Sequence, residues 1–159
     1  MPRFSRKGTT KVFFLETIAA ESLIPTRAEL TDATALSPQL AAVEGFQLTN
    51  NEIETPDMEH TFDSKIPGSD SVSDSSMTFY EDEDAATLEE ALAKGTTGFV
   101  VFLRKGDVPE SKSMDVFPVR VASQSSEYTV ENESAKWQVV FSVISQPVLG
   151  AAVPAAGTP

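Results

Sequence analysis

Five short runs of branched and aromatic residues, each cut off by proline, glycine or a polar stretch, decide what this chain can fold into. They are Lys11–Leu15, Ser76–Tyr80, Gly98–Leu103, Val116–Ala122 and Trp137–Ile144. Runs of this length and composition form strands rather than helices. Alternation gives several of them one apolar face: Met77 with Phe79, Val119 with Val121, and Trp137, Val139, Phe141 and Val143 together. Gly98–Leu103 is apolar throughout, as suits a buried strand. Weaker strand signals lie at Val43–Leu48, Thr61–Ile66 and Tyr128–Val130. Gly45 marks a bulge or a close backbone approach, and Pro118 an edge or a bulge. Pro25 and Pro38 bound a connecting region with a short helix or edge strand near Ala28–Leu30.

One helix interrupts the strands, over about residues 85–94. Ala85, Leu88, Ala91 and Leu92 share a face at helical spacing. Asp84 or Thr87 can cap its start, Thr87 with Glu90 has capping-box spacing, and Gly95 supplies the stop. The expected fold is therefore mainly β: a β-sandwich or partial barrel of short, mostly antiparallel strands with one flanking α-helix.

At 159 residues the chain suits one domain with a real core. Residues 1–10 read as an N-terminal arm, 11–146 as the β domain, and 147–159 as a flexible tail rich in Ala, Pro and Gly. Residues 50–76 form a long polar loop, a length that is usually functional or disordered. No apolar run approaches the ~20 residues that span a bilayer, and Met1–Lys7 is followed by no secretory h-region. The chain has no cysteine, which suits a reducing interior or an assembly stabilised by subunit contact.

The charge is concentrated in one place. Thirteen Asp and Glu residues lie between Glu52 and Glu90, against one base, Lys65; acids and bases balance on either side of that segment, so the whole net charge of -12 belongs to it. Such a block repels anions, binds cations or meets a basic partner. The acidity argues against ordinary nucleic-acid binding, which needs a basic footprint.

Enzymatic readings find little support. The single histidine, His60, sits among Glu59, Thr61 and Asp63 and reads as a surface residue. No nucleophile elbow, P-loop, dinucleotide fingerprint or zinc-protease motif occurs. Glu81, Asp82, Glu83 and Asp84 run consecutively at a helix start, where solvated acids complement the helix dipole. Asp70, Asp74 and that acidic run are hard oxygen donors, but their spacing matches no EF-hand loop. No catalytic residue, cofactor or metal site is expected.

The order of motifs resembles a known family. Arg6-Lys7-Gly8-Thr9-Thr10-Lys11-Val12 opens the first strand, Thr55-Pro56-Asp57-Met58 follows the second, and Ser64-Lys65-Ile66-Pro67-Gly68 sits in the long loop. Ser75-Ser76-Met77-Thr78-Phe79-Tyr80-Glu81-Asp82 comes next, then Ala91-Leu92-Ala93-Lys94-Gly95 and Gly98-Phe99-Val100-Val101-Phe102. From about Ser5 to Ile144 the chain looks like the major tail (tail tube) protein of long, flexible-tailed bacteriophages, in the form common among phages of actinobacteria.

The resemblance implies a structural protein of the virion tail, assembled in the host cytoplasm. Six subunits would form a ring, and rings would stack into a tube around a tape-measure protein, with the tail terminator and distal tail proteins at its ends. DNA would later pass through the lumen without specific binding, and no membrane is involved. The residues implied at contacts between subunits or rings are Arg3, Arg6, Lys7, Thr55, Pro56, Asp57, Met58, Lys65, Ile66, Pro67 and Gly68. Opposite charge suggests that Arg3, Arg6 and Lys7 dock on the acidic block of an adjacent ring. Glu81, Asp82, Glu83 and Asp84 are candidates for either the lumen wall or an interface. A receptor- or carbohydrate-binding β-module and a calcium-stabilised hydrolase are the rival readings, distinguished by glycan binding or by ion-dependent melting and turnover.

Overall fold

The computed structural model describes residues 2–19, 21–81 and 87–154. Its main sheet has eight strands: β1 (Lys11–Leu15), β2 (Thr34–Ala35), β3 (Leu40–Glu44), β8 (Ser75–Tyr80), β9 (Thr97–Leu103), β10 (Met114–Glu127), β11 (Lys136–Val143) and β12 (Val148–Ala151). The order across it is β2-β1-β9-β10-β11-β8-β3, with β12 joining β10, and every pairing is antiparallel. Between β3 and β8 the chain forms four further strands: β4 (Leu48–Asn50), β5 (Ile53–Thr55), β6 (Ser64–Ile66) and β7 (Asp70–Val72).

The sheet must roll. Its two edge strands, β2 and β3, are joined only by Leu36–Gln39, which includes a 3-10 turn at Ser37–Gln39. Five peptide steps span at most about 18 Å. Six strand spacings in a flat sheet would come to about 29 Å. Leu36 closes the roll: its N–H donates to the Val12 carbonyl oxygen at 2.9 Å, and its side chain is wholly buried. The expected sandwich or partial barrel is what forms.

Two cores explain the apolar runs. Val12, Phe14, Val100, Phe117, Val119, Val121, Trp137, Val139, Phe141, Met77 and Phe79 fill the inside of the roll. Leu15, Val101, Leu103, Met114 and Val116 point the other way, into a second cluster with Leu30, Ala151 and Val153. Strands β1, β9 and the first half of β10 are thus covered on both faces, which is why they read as continuous apolar sequence. The cover is α1 (Arg27–Thr31) and the C-terminal segment. Of the short helix or edge strand expected near Ala28–Leu30 the helix forms, and it carries a capping box in which Thr26 and Glu29 exchange hydrogen bonds.

Several expectations need correction. The helix foreseen over 85–94 is α2 (Thr87–Ala91), with Leu88 and Leu92 buried; Asp84 and Ala85 lie outside the described residues. It stops early because β10 takes its last backbone groups. Gln124 Nε2 donates to the Glu89 and Leu92 carbonyls, while Gly95 N–H donates to Val121 O and Val121 N–H to Thr96 O. Pro118 lies inside a central strand, opposite Phe99, at the place where β12 gives way to β11 as neighbour. Its missing N–H falls in that changeover. Tyr128–Val130 forms no strand and stands in the β10–β11 loop, with Tyr128 and Val130 almost wholly exposed. Of the tail expected to be flexible over 147–159, Val148–Ala151 forms β12 and Val153 is buried against the second core, while 155–159 lie outside the described residues.

Candidate assembly site

The polar segment 50–76 belongs to a jointed hairpin arm. Its inner ladder pairs Leu48 with Val72 and Asn50 with Asp70, and its outer ladder pairs Ile53 with Ile66 and Thr55 with Ser64. Between them two residues, Asn51 and Glu52, oppose three, Pro67–Ser69, so the register shifts by one at a bulge. Hydroxyl pairs tie the ladders where apolar residues are scarce: Thr49 with Ser71 at 3.3 Å, and Thr55 with Ser64 at 2.9 Å.

The arm grows from a built foot. Val43–Leu48 is not one strand, because Gly45 and Phe46 both adopt positive φ (83° and 58°) between β3 and β4. A Cβ on Gly45 would collide with the Asp74 carbonyl, so the close approach foreseen there is real and glycine is required. The turn drives Phe46 inward, edge-on to Phe102 and Phe117 at 5.1 and 5.3 Å. Phe46 N–H donates to the buried Ser75 hydroxyl at 3.0 Å.

The arm's far half is all surface. Ile53, Met58, Phe62 and Ile66 are exposed, Met58 at 102% and Phe62 at 79%. The tip is nevertheless ordered: Asp57 Oδ1 accepts from the N–H groups of Glu59 and His60 at 3.0 and 2.8 Å, and the His60 ring packs on the same carboxylate. Those bonds, the His60 backbone N–H first, hold the Asp57 carboxyl below its ordinary value. His60 is the surface histidine expected.

Of the residues singled out from sequence, Thr55, Pro56, Asp57, Met58, Lys65, Ile66, Pro67 and Gly68 all lie on this arm, which brings the two motifs together. Lys65 Nζ lies 3.6 Å from Glu52 Oε2. Arg3, Arg6 and Lys7 are exposed in the N-terminal segment, where Arg6 donates to the Arg104 carbonyl at 3.3 Å and sits over the Phe4 ring. Arg6 and Lys7 line a groove of about 620 Å³ at the foot of the arm, opposite Leu40–Val43 and floored by Phe46, Phe102 and Phe117. Arg104 and Asp115, which sequence reading passed over, also line it. Glu81 is exposed beside the β11 start, its N–H donating to Ala135 O; Asp82, Glu83 and Asp84 lie outside the described residues. Among the described residues no group of acids or histidines is arranged to hold a metal ion.

Solved structures share this architecture at low identity. A chain in the anti-feeding prophage baseplate superposes with a TM-score of 0.60 at 9% identity, over 94% of this chain and 97% of that one. A chain of the sheath-tube complex of an extracellular contractile injection system gives 0.61 at 9% identity, over 92% and 90%. A tail chain of an empty gene transfer agent particle, refined with C6 symmetry, gives 0.57 at 10% identity, over 94% and 100%. No curated protein matches in sequence. A sequence profile of the phage tail tube proteins, however, matches residues 1–156. That match spans arm, rolled sheet and C-terminal strap alike, so the chain belongs to the phage tail tube protein family and is a structural subunit of the virion tail, not an enzyme.

Proposed function

We propose that this subunit closes with copies of itself into a ring, six-fold as in the related gene transfer agent tail, and that rings stack into the tube of a long, flexible tail. The observation that carries this reading is the hairpin arm. A lone subunit leaves Ile53, Met58, Phe62 and Ile66 in water on a projection held at its foot and its tip. Exposed apolar groups on an ordered projection mark a contact surface. Contacts between subunits that are not two-fold related propagate as rings or filaments.

In this reading the basic N-terminal segment, Arg3, Arg6 and Lys7, meets the acids of an adjacent ring. The lumen holds a tape-measure protein before DNA passes, and terminator and distal tail proteins close the ends. A terminator partner is supported by a similar chain in a sheath/tube terminator complex, which superposes with a TM-score of 0.64. A negatively charged wall lets DNA slide, because wall cations would hold its phosphates. Assembly takes place in the host cytoplasm. Negative-stain microscopy of concentrated protein tests the proposal: rings or tubes with a central hole are expected, and a monomer at every concentration overturns it.

A further inference from the structure

We infer that the groove at the foot of the arm receives the tip of the arm of a second copy, with Met58 and Phe62 entering as knobs. The inference rests on the tube reading and names the residues on both sides of the contact.

The two surfaces complement each other in charge. From Glu54 to Asp63 the tip carries Glu54, Asp57, Glu59 and Asp63 and no Lys or Arg. The groove carries Arg6, Lys7 and Arg104, and Asp115 is the one acid among the described residues that line it. Asp115 is already engaged. Its Oδ2 lies 3.3 Å from Arg104 Nε, and its Oδ1 accepts from Gly150 N–H at 2.9 Å. With Arg104 and Asp115 cancelling, a tip bringing four carboxylates meets a rim whose net positive charge comes from Arg6 and Lys7.

They also match in apolar character. Phe46 and Phe102 are only half-buried in the groove floor, and Val43 on the open side of β3 is exposed. A space of about 620 Å³ accommodates a methionine and a phenylalanine side chain. The tip is pinned by the Asp57 bonds before it binds, so docking orders few residues and loses little entropy.

The groove's occupant is another subunit's tip. Nine residue steps separate Leu48, beside the groove, from Asp57 at the tip, a reach of up to about 30 Å in extended chain. The subunit's own tip is exposed and fills nothing. Knob and socket thus lie at opposite ends of one arm, and when subunits join head to tail a contact of that kind repeats along an axis.

The cysteine-free sequence makes the test direct. Full-length Met58→Cys and Ala42→Cys variants, both at exposed positions, are mixed, assembled and treated with a short bis-maleimide; Thr129→Cys on the β10–β11 loop replaces Ala42→Cys in a control mixture. The expected result is a covalent pair of Met58→Cys with Ala42→Cys, at least tenfold above either variant alone and above the control. Tubes that form without that pair, or with equal cross-linking to the control, overturn the docking and leave the tube reading standing. Wild-type protein that forms no rings or tubes by microscopy overturns both.

Discussion

The side-chain amide of Asn50 brackets the backbone of Gly68: Nδ2 donates to the Gly68 carbonyl oxygen at 2.9 Å, and Oδ1 accepts from its N–H at 3.0 Å. One side chain thereby satisfies the peptide groups that the bulge removes from the ladder. A Cβ on Gly68 would run into the Asn51 carbonyl. Gly68→Ala is expected to open the outer ladder while the rolled sheet stays intact. Hydrogen exchange should quicken at least tenfold over Ile53–Thr55 and Ser64–Ile66, with the urea midpoint of the whole protein little changed. Tube formation should fall with it.

A chain ended after Gln146 tests the C-terminal strap. It loses β12 and the buried Val153, and it uncovers Met114 and Val116. Arg27 loses its bond to the Pro154 carbonyl, keeping its paired bonds to Asp107 at 2.8 and 2.9 Å. Burying one valine is worth about 1.5–3 kcal/mol. The truncated chain should lose at least about 2 kcal/mol by urea unfolding, where a dispensable tail would cost nothing.

Gly98, the second residue of β9, lies under the Phe14 ring, where a Cβ would stand 2.5 Å from the Leu15 carbonyl oxygen and 2.6 Å from that ring. Both distances are shorter than real Cβ contacts, so the Phe14 ring or the strand must shift. Gly98→Ala should destabilise by about 1–3 kcal/mol, the usual range for overpacking. Equilibrium unfolding measures it, and an unchanged midpoint would show that Phe14 moves freely.

The capping carboxylate of Glu29 accepts from the Thr26 N–H at 3.1 Å and the Ala19 N–H at 3.1 Å. The Thr26 backbone bond is the largest cause that lowers its pKa, with the Ala19 backbone and Thr26 hydroxyl bonds adding to it. A lowered folded pKa means that its stabilisation is complete above the ordinary glutamate range and is lost as pH falls through the lowered value. Glu29→Gln should therefore flatten the acid limb of a melting-temperature profile and leave the difference between variants constant at neutral pH.

How much was legible in the sequence depended on how each segment is buried. Strands β1, β9 and β11 were plain because their burial on one or both faces writes itself into apolar order. The end of α2 was hidden, since Gln124 and Val121 compete for its backbone groups from thirty residues away. The C-terminal strap was hidden because Val148 and Val153 lie in Ala- and Pro-rich surroundings that resemble a tail. The arm passed for a loop because its ladders rest on Thr–Ser pairs, which carry no apolar signature. One signal was available: Ile53 with Ile66, and Leu48 with Val72, sit nearly symmetrically about the tip. The groove combined residues 6, 46, 104 and 115, too far apart in sequence for any motif to join them.

That scattering has a kinetic consequence. The arm's ladders join residues at most 24 apart (Leu48 with Val72), whereas β1 must find β9 across as many as 92 residues (Lys11 with Leu103). Local hairpins form in microseconds, and long-range pairings come later because they close large loops. A nascent subunit thus acquires its projection early and its receptacle last, when the sheet rolls shut. Under the proposed docking, a half-folded chain would offer a tip without accepting one, and polymerisation would wait on completed folding.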